Sequence, residues 1–119
     1  MTRLRHVLGA EEHYLSMKRN CIYIMSNKNR TTFYVGVTNN LMRRRLEHRA
    51  ELAGDGFCGR YNICDVVYVE YFDKIVDAIR REKQIKEYAR ARKLALIESR
   101  NPKMLSLQPP FFNYPTSYE

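Results

Sequence analysis

The chain predicts a small α/β protein of the α+β type, with a three-stranded antiparallel sheet flanked by helices. Three observations carry this expectation. Two short runs rich in β-branched and aromatic residues, Cys21-Ile22-Tyr23-Ile24-Met25 and Phe33-Tyr34-Val35-Gly36-Val37, are separated by the polar stretch 26–32. A third such run, Val66-Val67-Tyr68-Val69-Glu70-Tyr71, lies further along. Between and after these runs apolar residues recur at helical spacing, so the order is hairpin, helix, strand, helix, helix, which closes by laying helices on a small sheet. A length of 119 residues suits one domain, able to bury about two thirds of the surface its unfolded chain exposes.

Residues 1–19 read as an N-terminal extension, with Arg3, Arg5, Glu11 and Glu12 breaking up any apolar segment that might serve as a secretory signal. Met17 stands just before the first strand and offers a natural start, which would leave 1–16 as an unstructured addition. The first two strands should form a hairpin. A turn centred on Lys28-Asn29 would set Tyr23 opposite Tyr34 and Ile24 opposite Phe33. With a side-chain period of two, Ile22, Ile24, Phe33, Val35 and Val37 then share one face, and Tyr23, Tyr34 and Gly36 the other. The bare Gly36 leaves room for something to approach the backbone.

Thr38-Asn39-Asn40 supplies capping residues for a helix over 41–52. Met42, Leu46, Ala50 and Ala53 line one stripe, while Arg44 and His48, four apart, stack one turn from each other on a neighbouring face. The run Arg43-Arg44-Arg45 reads equally as a solvated helix face. Gly54-Asp55-Gly56 breaks the pattern, and residues 57–62, with Arg60 and Tyr61, read as irregular chain before the third strand. A helix over about 75–88 follows, with Asp73 as its N-cap and Ile75, Ala78, Ile79, Ile85 and Ala89 as its apolar stripe. Glu82 falls in the middle of that stripe, where an uncompensated charge is costly, so it needs a cation: a divalent metal, or an arginine in a structural pair. A last helix over about 90–100 packs Ala91, Leu94, Ala95 and Ile97 inward and stops at Asn101-Pro102. The tail 108–119 combines prolines with aromatics and is expected either to dock in extended form or to fray.

Lys and Arg number 21 against 13 Asp and Glu, a formal charge of +8 that favours polyanionic partners. Nucleic acid is preferred to membrane, because no run of 18 apolar residues is present; a merely basic, soluble surface is the plain alternative. Cys21, Cys58 and Cys64 are an odd number without a C-x-x-C pair. They fit free thiols in a reducing cytoplasm better than disulfides or zinc.

Two phenols on a hairpin face, an arginine and a histidine one helical turn apart, and a lone inward carboxylate suit phosphodiester cleavage. That reaction needs an in-line water, charge stabilisation on the non-bridging oxygens and help for the leaving alkoxide. Arg44 offers a planar fork of donors, and His48 a group to orient water or accept a proton. An unperturbed phenol, with a pKa of about 10, is a poor base at neutral pH. Arg44 and a metal would have to lower it; Tyr23 is the preferred proton acceptor or water positioner and Tyr34 its hydrogen-bonded partner, though the residues alone do not separate the two roles. The competing reading of the two tyrosines is a packed aromatic pair.

These residues in this order resemble the GIY-YIG endonuclease superfamily, in particular its small stand-alone members, over about 20–107. The first signature triplet is Cys21-Ile22-Tyr23, with cysteine where glycine is usual, and the second is Tyr34-Val35-Gly36. Arg81-Glu82-Lys83-Gln84-Ile85-Lys86 looks like the family's glutamate helix, and Ala95-Leu96-Ile97-Glu98-Ser99-Arg100-Asn101-Pro102 like the closing segment. The resemblance implies a nuclease dependent on Mg²⁺ or Mn²⁺ held by Glu82, with Tyr23, Tyr34, Arg44, His48 and Glu82 at the active-site positions. Arg43, Arg45, Arg60, Lys83 and Asn101 are the expected nucleic-acid contacts. The leading expectation is a cytoplasmic endonuclease acting on DNA rather than RNA, branched or single-stranded forms included, with low sequence specificity. A non-catalytic nucleic-acid-binding module with the same fold is the main alternative, and an interaction protein with a structural Tyr-Arg-Glu cluster a third. A monomer or a weak dimer is equally compatible with the sequence.

Overall fold

The computed structural model describes residues 18–52, 63–109 and 112–114. Within them the chain runs β1 (Asn20–Asn27), β2 (Phe33–Thr38), α1 (Leu41–Leu52), β3 (Ile63–Phe72), α2 (Ile75–Lys86) and α3 (Arg90–Arg100). The strands form one antiparallel sheet in the order β2-β1-β3. The three-stranded sheet and flanking helices expected from the sequence are present.

The hairpin register differs from expectation by two residues. Tyr23 faces Gly36, Ile24 faces Val35 and Met25 faces Tyr34. The cause lies in the turn. Asn27 accepts the amides of Thr31 and Thr32 on its side-chain oxygen at 2.9 and 3.0 Å, and Arg30 adopts φ 58°, so the chain reverses one position later. A shift of two preserves the faces, and Tyr23 and Tyr34 still share theirs.

Each sheet face builds its own core. Cys21, Tyr23, Met25, Val66 and Val69 pack with Leu41 and Met42 of α1 and with Leu107 and Phe112. Ile22, Ile24, Val35, Val67 and Tyr68 pack with Ala78 and Ile85 of α2 and Ile97 of α3. Val67 and Tyr68 fall on the same side because β3 bulges there: Ile24 pairs with Tyr68 and Met25 with Val66, leaving Val67 as the extra residue.

Asn40 caps α1 as the sequence suggests, accepting the Arg43 amide at 3.0 Å, but α2 begins at Lys74 without a side-chain cap, not at Asp73. The helix stripes also shift. On α1 the buried positions are Leu41, Arg45 and His48, with Met42 and Leu46 half-buried; on α2 they are Ala78, Glu82 and Ile85, while Ile75 and Ile79 are exposed. On α3 only Ile97 is fully buried, and Ala91 and Ala95 face outward. One contact sets the rotation of α2. Arg81 forms a two-pronged pair with Glu70 of β3 at 3.0 Å on both oxygens, and Glu70 also accepts the Tyr68 hydroxyl. Burial works against the Glu70 charge, but the bonds from Arg81 and Tyr68 hold its carboxyl below the ordinary range.

The described residues of the C-terminal tail contribute to the core beyond Leu107. Phe112 is buried, and the Tyr114 hydroxyl donates to the Val69 carbonyl at 2.9 Å and accepts its amide at 2.8 Å, occupying the free edge of β3. Burial pushes the Tyr114 phenol up from 10.0 to about 12, against the pull of the Val69 bond and of Arg100. The folded state therefore binds this proton more tightly than the unfolded state. The stability it supplies is complete below pH 10 and is lost as pH rises to about 12. Thermal melts across that window should show a steep decline for the parent and a shallower one for Tyr114→Phe; identical slopes would show that this hydroxyl is not what titrates.

Asn101, at the end of α3, is fully buried. Its Nδ2 donates to the carbonyls of the bulged Val67 and of Leu105, each at 2.9 Å, and its Oδ1 accepts the Leu105 amide at 3.1 Å. This corrects its expected place among the nucleic-acid contacts: at zero exposure it ties the chain end to β3. Asn101→Ala should cost about 3 kcal/mol of stability, near 1 kcal/mol per lost bond, measured by urea unfolding; a cost below 1 kcal/mol would contradict the role.

Candidate active site

Four of the five residues expected at a catalytic centre converge on the α1 face of the sheet. Tyr23 comes from the central strand, Tyr34 from the edge strand β2, and Arg44 and His48 from successive turns of α1. The ring centroids of Tyr23 and Tyr34 are 6.2 Å apart, and His48 stands edge-on to both, at 6.3 Å and 5.6 Å. Arg44 Nε donates to the Tyr23 hydroxyl at 3.2 Å and its guanidinium also bonds Tyr34.

The cluster has an inner and an outer layer. Tyr23 and His48 are 1% and 2% exposed, whereas Tyr34 is half-buried and the Arg44 side chain is 28% exposed. Only the outer pair meets solvent. Gly36 explains how the inner phenol is seated: a Cβ at that position would overlap the ring and hydroxyl of Tyr23. The approach anticipated over this glycine is thus made by Tyr23 itself.

Burial drives the Tyr23 phenol well above its ordinary value of 10.0, with the Tyr34 hydroxyl adding to the rise, and the bond and charge of Arg44 lower it too little to compensate. Of the two groups expected to lower this phenol, Arg44 and a metal, Arg44 by itself is outweighed by desolvation. Burial also opposes the Arg44 cation, but its bonds to Tyr23 and Tyr34 prevail and tighten its hold on the proton.

Glu82 stands on α2, which covers the opposite sheet face and packs on β1 and β2. It is 8% exposed, as its place in the stripe demanded. Lys86, one turn further on, supplies a cation at 2.8 Å from Oε1, where an arginine pair was one expectation. Lys86 is 54% exposed along its side chain. No group of three or more His, Cys, Asp or Glu able to enclose a metal occurs among the described residues.

The expected nucleic-acid contacts divide. Arg43 and Lys83 are exposed, Arg43 within 3.9 Å of Glu47. Arg45, by contrast, is 7% exposed. It lies in the inward stripe with Leu41 and His48, because three consecutive arginines cannot share one helix face and the third turns into the protein. Arg60 lies outside the described residues, as does Tyr61. No helix among the described residues is long and apolar enough to cross a membrane.

Residues 19–95 match the GIY-YIG catalytic domain. The chain belongs to the GIY-YIG family. The matched span holds Tyr23, Tyr34, Arg44, His48 and Glu82. Among relatives, a UPF0213 protein of Syntrophus aciditrophicus is 33% identical over 75% of this chain and all of its own length. One of Clostridium perfringens is 36% identical over 71% of this chain and 88% of its own. The solution NMR structure of a UPF0213 protein from Bacillus halodurans aligns over 71% of this chain and 88% of its own, with 24% identity and a TM-score of 0.47. A GIY-YIG catalytic domain points to nuclease chemistry and to nucleic acid as partner.

Two features of the structure were not legible in the sequence. The layering that sets Tyr34 outside and Tyr23 inside depends on where α1 crosses the sheet. The service of Tyr114 as a partner for β3 had only the aromatic composition of the tail as its signal.

Proposed function

We propose that the protein is a divalent-metal-dependent endonuclease that hydrolyses phosphodiester bonds in DNA with low sequence specificity, branched and single-stranded forms included. The observation that carries this reading is the bond from Arg44 to a fully buried Tyr23 beside a half-exposed Tyr34: a guanidinium fork and a phenol are held at the surface by an inner scaffold.

Arg44 would neutralise charge growing on the non-bridging phosphate oxygens. Tyr34, as the accessible phenol, would orient the attacking water, replacing Tyr23 in that role. Tyr23 would fix Arg44, and His48 would hold the two rings from behind. Because Glu82 belongs to the other sheet face, the scissile phosphate fits best at the open edge of β2, the outermost strand on that side. Glu82 is the residue that would hold a Mg²⁺ or Mn²⁺. A buried carboxylate whose cation is a half-exposed lysine suits an ion that keeps most of its waters and needs only one protein oxygen. Such an ion, when bound, supplies charge neutralisation at the phosphate and the leaving oxygen. Arg43 and Lys83, both exposed, would contact the backbone of the strand.

The Lys86 pair favours a second reading, a nucleic-acid-binding module in which Glu82 is neutralised for good and no cleavage occurs. Nicking of supercoiled and branched DNA, and of RNA, with Mg²⁺ or with EDTA separates the two. Arg44→Lys should bind DNA nearly as the parent does yet nick it about a hundredfold more slowly, since a point charge cannot reproduce the fork. Binding without nicking on every substrate would establish the second reading.

A further inference from the structure

An open cavity of about 400 Å³ lies at the end of the sheet where β1 begins and β2 and β3 finish, and Lys18, Arg19, Asn20, Asn39, Tyr71 and Asp73 are among the residues that line it. Its rim is fixed by two hydrogen bonds. The Arg19 amide donates to the Asn39 carbonyl at 2.7 Å, and Asn20 Nδ2 donates to the Asp73 carbonyl at 3.0 Å. The Arg19 guanidinium is stacked on the Tyr71 ring, 3.8 Å from its centroid, and Tyr71 is itself packed against the core cluster on the α1 face. The exposed Arg19 therefore forms a flat, supported platform rather than a loose charge.

We infer that this cavity binds one unpaired nucleotide of the substrate strand, its base laid on the Arg19–Tyr71 stack and its phosphate beside Lys18. The inference rests on the nuclease reading and deepens it by naming the substrate class, a strand with at least one base out of the duplex. The volume falls in the range of small-molecule sites and exceeds what a phosphate alone would fill. The lining is mixed in the way a nucleotide requires. Lys18 and Arg19 suit an anion, a guanidinium plane offers stacking to any base, and Asn20, Asn39 and Asp73 among the lining residues are of the types that pair with a base edge. A site for a bare anion would not count an aspartate, Asp73, among its lining residues.

Placement supports the same conclusion. Asn20 and Tyr23 are three residues apart on β1, about 10 Å at the usual strand rise, and Tyr71 pairs with Cys21 on the sheet face that carries Tyr23. A strand whose phosphate sits by Arg44 reaches this cavity within roughly three nucleotides.

The test uses the full chain in EDTA, so that cleavage plays no part. Fluorescein-labelled hexathymidylate should bind the parent and Glu82→Gln alike, and bind Arg19→Ala about tenfold more weakly, the loss of one stacked base. The melting temperature of Arg19→Ala should stay close to the parental value. In NMR titrations thymidine monophosphate should shift the amides of Arg19, Asn39 and Tyr71, whereas inorganic phosphate should not. Equal hexathymidylate affinity in Arg19→Ala, or the same shifts with inorganic phosphate, would overturn the inference. Should nicking fail on every substrate while these shifts persist, the catalytic reading falls and the nucleotide site stands. Normal nicking with unchanged binding in Arg19→Ala would sink the site alone.

Discussion

Gly36→Ala is expected to abolish nicking and lower stability by about 2 kcal/mol, the cost of forcing one carbon into a filled interior. The added Cβ falls on the ring and hydroxyl of Tyr23, which is 1% exposed and has no open space to swing into. The phenol must move, and with it the anchor of Arg44, whose Nε is bonded to that hydroxyl. A displacement near 1 Å of a positioning contact is enough to cost a site about a hundredfold. Combining Gly36→Ala with Tyr23→Leu separates the two effects. The smaller side chain should relieve part of the strain, so the pair of substitutions should be less than additive in stability, while activity stays lost. Full activity in Gly36→Ala would show that the Tyr23–Arg44 bond has no part in the reaction.

Glu82→Gln should show the opposite combination, a fold left nearly intact and a reaction lost. The Lys86 partner is half in water, so the ion pair contributes within about 1 kcal/mol, and glutamine fills the same space. The rate should nevertheless fall by about a thousandfold, corresponding to roughly 4 kcal/mol of transition-state stabilisation from a metal that the amide cannot hold. Raising Mn²⁺ should not restore it. Nicking at the parental rate by Glu82→Gln would remove this residue from the site, whereas intact binding of DNA without nicking is the outcome the proposal requires.

Much of this molecule could be read before its coordinates. The strand and helix sequences alternate or recur with different periods, and those periods come from local backbone geometry, so α1 and α3 begin and end where their patterns do. The Asn40 cap is likewise a local bond. The inward position of Glu82 followed from its neighbours at helical spacing, and burial confirms it. The stripes were less legible at their margins: Ile79 is apolar yet exposed, while Arg45 is charged yet buried, because the width of a helix face depends on the partner it meets. The hairpin register departs from the sequence expectation for a related reason. The turn is set by Asn27 and by the positive φ of Arg30, and Arg30 is held there by bonds to Met104 and Asp65, far away in the chain.

The amino-acid sequence alone therefore determined the element order, the alternation that places Tyr23 and Tyr34 on one face, and the family to which the chain belongs, all of which rest on interactions between near neighbours. Only the tertiary structure decided that Tyr23 is buried and Tyr34 accessible, that Asn101 and Arg45 are interior, that Glu82 approaches from the other sheet face, and that Tyr114 completes the edge of β3. Burial and desolvation arise from residues distant in the chain that converge in space, and no local pattern encodes how much water they leave behind.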